Sequence, residues 1–435
     1  MLVLREEQAP RNLLRIFVVL VQGLLAKFKD SKSHSRKETA VECMEKPFWM
    51  ICITHMLLEV YLLIQVALIP VYIREFQLSI LEASLVATIP SLIQLLMNVP
   101  FGFLVDRFQV KHLLFASMLI EGASALLLSQ TNSFWTLVFG VAMMKLSSPL
   151  YHISGLSQIS KLVKQEKMSR SIGVHNALGS LGVAIGAVSL AFFLTGLGWR
   201  WTYLFWAIPV LLWGFIIMRS SQLETRPLER KDGERREVLG RLSLVLHFNF
   251  LLFLSAIGLR EVGATGISTF MTTYLVKIRG LSEAISSLVF GLGPFIGIVG
   301  ALSGGYLGEK IGAKRTLSLV MFGCAVSLYV LSLTSQLYLL TLIYLSYAFF
   351  SHSVWTPMNT IVSDITPRTE RGLSFSVYFF AEGLIASIAP TAAAAVIELS
   401  DVSYIFPFSI MFIVAGLVVL QLFAYPRKSS SQAKV

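Results

Sequence analysis

Twelve stretches of about 20 mostly apolar residues follow one another along this chain, and that is the length an α-helix needs to cross the hydrocarbon core of a bilayer. They lie near 47–73, 80–105, 112–130, 133–156, 171–195, 201–218, 244–275, 284–306, 316–334, 337–362, 372–397 and 402–424. Lipid offers a backbone no hydrogen bonds, so a run that must satisfy its own amides while crossing becomes a helix. Of 435 residues, 55% are hydrophobic and 14% charged, which leaves no segment between the runs large enough for a soluble domain. The expected fold is an all-α membrane protein of twelve transmembrane helices, with the lipid bilayer as its surroundings.

The net charge of +11 has a positional explanation. With the N-terminus in the cytoplasm, 30 of the 36 Lys and Arg fall on the cytoplasmic side, and only Arg74, Arg200, Lys277 and Arg279 fall outside. Such asymmetry is the positive-inside rule. It predicts a multi-pass protein of the cell (plasma) membrane with both termini cytoplasmic, and it makes a nucleic-acid partner unnecessary. Cys43, Cys52 and Cys324 have no metal-ligand spacing and read as free thiols. No G-x-x-x-x-G-K-[ST] phrase is present, so neither an enzyme nor a cofactor is expected, and any energy comes from an ion gradient or from the substrate.

The segment 1–46 is cytoplasmic in this reading. Leu13, Phe17, Val21, Leu24 and Phe28 recur at helical spacing beside Arg11, Arg15 and Lys29, which fits a helix lying on the membrane surface; a frayed arm is the alternative. A six-helix bundle over 47–218 is followed by a linker at 219–243, rich in both charge signs. A second bundle occupies 244–424, and a cytoplasmic tail runs from 425 to 435.

The two bundles are an internal repeat. "GFLVDRFQVK" from Gly102 and "GGYLGEKIGAKR" from Gly304 align at an offset of 203, taking Gly102 to Gly305, Asp106 to Glu309 and Arg107 to Lys310. The same offset takes Leu78 and Ser79 to Leu281 and Ser282, just before the second and eighth spans. Basic turns recur before the fifth and eleventh spans as "QEKMSRSIG" and "RTERGLSFS".

These phrases resemble the loop signature G-x-x-x-D-[RK]-x-G-x-[RK]-[RK] of the major facilitator superfamily. Gly305, Glu309, Lys310, Gly312, Lys314 and Arg315 follow it with Glu in place of Asp. Gly102, Asp106, Arg107 and Lys111 follow it with Gln109 and His112 as departures. The resemblance implies a major facilitator fold and a conformational latch at both loops: glycines allow close helix approach, the acid faces a helix N-terminus and the bases hold the next loop. A purely structural role for the glycines stands beside that reading.

Ionisable groups at membrane depth are costly and usually functional. His55 and Glu59 are four apart on one face of span one, and Lys145, Ser148 and His152 share a face of span four. Span three carries Glu121, expected as an interhelical partner. His175 opens span five, Arg260 and Glu261 lie on span seven, His352 on span ten, and Glu382 on span eleven one turn after Tyr378. Arg260 and Glu261, about 100° apart on a helix, are each expected to find a partner elsewhere. His175 and His352 read equally as hydrogen-bonded core groups. The resemblance implies that spans one, four, seven, ten and eleven line a cavity for a small-molecule substrate and protons.

"THMLLEVY" and "KLSSPLYHISG" also resemble the membrane-embedded His and acid of span one and the His-Pro of span four in fosmidomycin-resistance-type drug exporters, and "GWRW" at Gly198–Trp201 resembles the turn before their sixth span. Glu59 stands for the expected Asp, Ile153 follows His152 instead of Pro, and Ala187 follows Gly186 where Pro is frequent. The implied function is a monomeric, proton-coupled antiporter that exports small organic compounds by alternating access. Uptake or exchange of an organic anion is the alternative, as is a non-transporting sensor on the same fold.

The topology is testable on whole cells. A cysteine placed at Ser221 should resist an impermeant thiol reagent applied from outside, and labelling there would overturn the assignment of the linker to the cytoplasm.

Overall fold

The computed structural model describes residues 46–105, 107–163, 168–223, 247–366 and 371–425. The expected surface helix, Asp106, most of the linker and the C-terminal ten residues lie outside these. All the regular structure described is helical. Among the described residues, eleven helices are long and apolar enough to cross a membrane. The helix Phe134–Leu162 is not among the eleven, because Lys145, Ser147, Ser148, His152 and Ser154 crowd its middle. Its 29 residues complete the set of twelve spans.

Spans 2 to 7 are Ile80–Val105, Val110–Ser129, Phe134–Leu162, Met168–Leu194, Trp199–Arg219 and Phe248–Lys277. Spans 9, 11 and 12 are Ala313–Leu333, Arg371–Glu398 and Ile405–Leu422. The other three are interrupted. Span 1 runs as Lys46–Glu59, Ile64–Ala67 and Ile69–Glu75, span 8 as Glu283–Gly291 and Gly293–Ile311, and span 10 as Leu337–Ser353 and Trp355–Ile365. Broken helices are tolerated at membrane depth only where protein or a cavity covers the freed backbone. Leu62, Leu63, Gly293, Pro294 and Trp355, all at these breaks, line a cavity.

Packing repeats with the sequence. Spans 2 and 4 pack as 8 and 10 do, 3 and 4 as 9 and 10, and 3 and 6 as 9 and 12. The aligned Ser79 and Ser282 both cap helices, Ser79 Oγ accepting from Glu82 N at 3.1 Å and Ser282 Oγ from Ile285 N at 3.3 Å. Small residues let the backbones touch. A Cβ added to Gly182 or Gly186 on span 5 would collide with the carbonyls of Met56 and Val60 on span 1, and one on Gly300 or Gly304 with those of Phe349 and Ser353.

The halves meet through spans 2 and 11, 5 and 8, and 1 and 7. Arg74 pairs with Glu283. Glu398 Oε2 accepts from the amides of Ile80 (3.0 Å) and Leu81 (3.3 Å), putting an anion at the positive N-terminus of span 2. Below it, Thr391 bonds Ser84 at 3.1 Å and Thr88 at 2.8 Å, and Ser287 donates to Ala187 O at 3.3 Å. All belong to the end where span 1 finishes and span 2 begins. Towards the other end, Trp355–Ile365 packs on spans 8, 9 and 11 of its own half.

The turn before span 6 shows what "GWRW" does. Gly198 takes φ 88°, a value that favours glycine, and the next two side chains turn onto Glu75: Trp199 Nε1 donates at 2.7 Å and the Arg200 guanidinium pairs at 2.6 Å.

Gly186→Ala should destabilise the detergent-solubilised protein by about 1–3 kcal/mol, because the Val60 carbonyl has nowhere to retreat. Gly308→Ala, where nothing lies within 4 Å, should stay within about 0.5 kcal/mol of the parent. Thermal unfolding of the two variants side by side measures the difference.

Candidate functional site

Four of the expected residues converge in the N-terminal half. His55 and Glu59 sit on the last turns of span 1 before it unwinds at residues 60–63, and His152 reaches them from span 4. His55 Nε2 lies 3.4 Å and His152 Nε2 3.6 Å from Glu59 Oε1. Each histidine is oriented from behind by a carbonyl, His55 Nδ1 lying 3.0 Å from His175 O and His152 Nδ1 3.0 Å from Ser148 O. The His175 ring stacks on that of His55 at 4.0 Å and is held by Tyr151 Oη (2.8 Å) and Asn176 Oδ1 (3.0 Å). His175 therefore belongs to the scaffold of the cluster. Tyr151, which also donates to Ile51 O at 2.9 Å, is a member that no spacing in the sequence pointed to.

Lys145 faces elsewhere. It lines a cavity of about 340 Å³ with Gln65, Gln94, Asn98 and, from span 11, Gly383 and Ser387. Among the described residues its ammonium makes no hydrogen bond or ion pair, although Glu59 and Glu121 both act on it electrostatically. Glu121 is buried and accepts from Ser147, linking spans 3 and 4. The amides of Gln94 and Asn98, one turn apart on span 2, are the binding-type groups that charge-led reading passed over.

In the C-terminal half, Arg260 and Glu261 do not look elsewhere as their angular separation suggested. The long arginine side chain curls back, and Nη1 meets Glu261 Oε2 at 2.5 Å. Nη2 crosses to Ser351 Oγ at 3.1 Å, and Glu261 Oε1 accepts from Thr265 Oγ1 at 3.1 Å. His352 Nδ1 bonds Ala348 O at 2.9 Å. Glu382 is 9% exposed, and among the described residues its Oε1 has no hydrogen-bond partner. The charges acting on it are those of Glu261 and Arg260.

A second cavity, of about 550 Å³, lies between the halves, with His55 and Glu59 on one wall and Arg260, Glu261 and His352 on the other. Thr265 and Ser268 border both cavities. Such a space holds a small organic molecule between facing sets of polar groups.

The loop residues behave differently. Arg107, Glu309, Lys310 and Arg315 are exposed, and Lys111 is partly buried. Gly312 takes φ 92° at the junction of spans 8 and 9, so this signature glycine forms a turn. Lys314 Nζ donates to the carbonyls of Gln421 (3.1 Å) and Phe423 (2.6 Å), capping span 12 of its own half. Gly102 lies in the last turn of span 2, and Gly305 on span 8 faces Thr356 of span 10.

Solved structures share this architecture. A bacterial homolog of the human lysosomal transporter Spinster, in an inward-facing and occupied conformation, superposes with a TM-score of 0.72 at 15% identity, over 86% of this chain and 95% of the other. The same description in an inward-facing and unoccupied conformation gives 0.68 at 14% identity, over 87% and 95%. No curated protein matches by sequence. The sequence profile of the Major Facilitator Superfamily matches residues 51–347 and 295–435. With twelve helices in two repeated halves around a polar cavity, the chain belongs to the Major Facilitator Superfamily and is a membrane transporter, not an enzyme.

Proposed function

We propose that the chain is a proton-coupled secondary transporter that exports small organic compounds by alternating access. The observation that carries the coupling is Glu382. Its neighbours Phe379 and Gly383 line one cavity, while Arg260 and Glu261, the charges acting on it, line the other. One guanidinium faces two carboxylates and is already bound to Glu261. Tyr378 lies one turn away on the same helix. The second carboxylate is an excess negative charge in a low-dielectric interior, and a proton is the smallest species that neutralises it. Loading on one side of the membrane and release on the other couples that proton to the motion of the halves.

Alternating access is supported by how the halves join. The clamp of Arg74, Glu283 and Glu398 is at the external end if the basic residues mark the cytoplasm, and the opposite part of span 10 packs within its own half. This arrangement opens the cavities inwards. The exposed loops with Arg107, Glu309 and Lys310 then latch in the opposite, outward-open state. Export as the direction rests on the likeness of the span 1 and span 4 phrases to drug exporters.

Organic-anion exchange is favoured by one observation, the Lys145 ammonium, without an ion-pair partner among the described residues, in a cavity it lines with the amides of Gln65, Gln94 and Asn98. Arg260, already bound to Glu261, is the weaker candidate for an anion.

Transport into proteoliposomes with and without an imposed pH gradient tests both readings. Glu382→Gln, which mimics the protonated form, should abolish gradient-driven accumulation and retain substrate exchange; accumulation equal to the parent's would reduce Glu382 to a structural partner. Lys145→Gln should selectively lose competition by organic anions if the second reading holds, and leave drug transport in place if the first does. A well-folded protein that moves no candidate solute in either direction would favour a sensor.

A further inference from the structure

We propose that His55, Glu59 and His152 form a binding site for a first-row divalent transition-metal ion, with an open coordination position towards the cavity between the halves. The donor atoms all lie within 4.8 Å of one another. Backbone carbonyls behind the rings set the chemistry. A carbonyl oxygen only accepts, so His175 O behind His55 and Ser148 O behind His152, where Ser148 Oγ also lies 3.2 Å from Nδ1, favour the tautomer with the proton on Nδ1. In a neutral imidazole the other nitrogen is then a bare lone pair. Both Nε2 atoms point at the same carboxylate oxygen, so three donor atoms of the kinds that ligate metals converge on one point. A divalent ion takes all three donors at once.

The spacing suits the ion. Zinc-type bonds of about 2.0–2.2 Å at tetrahedral angles place neighbouring donors about 3.3–3.5 Å apart. The observed separations from Glu59 Oε1 are 3.4 and 3.6 Å. Two histidines and one carboxylate leave a position free for a further ligand, as in zinc sites that do chemistry, and imidazole with carboxylate suits zinc and iron-type ions. Carbonyls that fix the ligand tautomer are the usual outer shell of a metal-bound histidine. All three ligands come from spans 1 and 4 of one half, so rocking of the halves leaves the site intact. His55 and Glu59 line the inter-half cavity, so a substrate bearing an anionic oxygen can complete the coordination sphere. The surrounding groups are Tyr151, stacked at 5.3 Å, His175, and Lys145, whose charge acts on Glu59 from beyond ion-pair distance and opposes a bound cation.

The experiment is equilibrium binding to tag-free, chelator-treated protein in detergent, and it stands apart from any transport assay. Titration with Co²⁺ should give one equivalent with the visible ligand-field absorption of a four-coordinate ion, bleached by one equivalent of Zn²⁺. His152→Ala and Glu59→Gln should each weaken Co²⁺ about 100-fold or more. Lys145→Gln should tighten it about threefold. His247→Ala, at the helix cap opening span 7, should leave binding unchanged. Absence of stoichiometric Co²⁺ and Zn²⁺ binding by the parent overturns the site. So does Co²⁺ binding that survives both His152→Ala and Glu59→Gln.

Discussion

A polar group that enters the hydrocarbon must find its partner inside the protein, and every level of this structure answers to that requirement. At the level of the backbone it selects helices. It also confines the irregular turns of spans 1, 8 and 10 to the cavity walls, where Leu62, Pro294 and Trp355 lie. The same cost explains the serines and threonines that donate to a carbonyl three or four residues back, as Ser117, Ser154 and Ser353 do.

Close approach follows from a second fact about lipid. It is as apolar as leucine, so hydrophobic burial gives helices little reason to associate, and contact area with hydrogen bonds must do so. Gly182 and Gly186 bring span 5 against span 1 at the level of Glu59, and Gly297 faces the His352 ring. Glycine is thus placed where ionisable side chains must be held.

Two different electrostatic solutions result. The N-terminal half gathers two imidazoles around one carboxylate, while the C-terminal half sets one guanidinium between two. The first brings three donor atoms to one point, and the second leaves Glu382 to share a guanidinium that already pairs with Glu261. A repeated scaffold has diverged at its two inner faces while keeping the same helix pairs.

The sequence by itself determined the twelve spans, their helical state and the repeat, because hydrophobic run length and the offset of 203 are properties of local order. It also indicated the helical faces that carry His55 with Glu59 and Lys145 with His152, since i, i+4 and i, i+7 spacings need only helix geometry. Which faces meet was decided by tertiary packing. His152 joins Glu59 because spans 1 and 4 bring the two side chains together in space, and Lys145, two turns away, falls into another cavity. Arg260 pairing with its own neighbour depended on rotamers that angular separation ignores. Lys314 capping span 12 depended on where the end of that helix comes to rest. Contacts of these kinds are set by separations in space, and one-dimensional order holds no record of them.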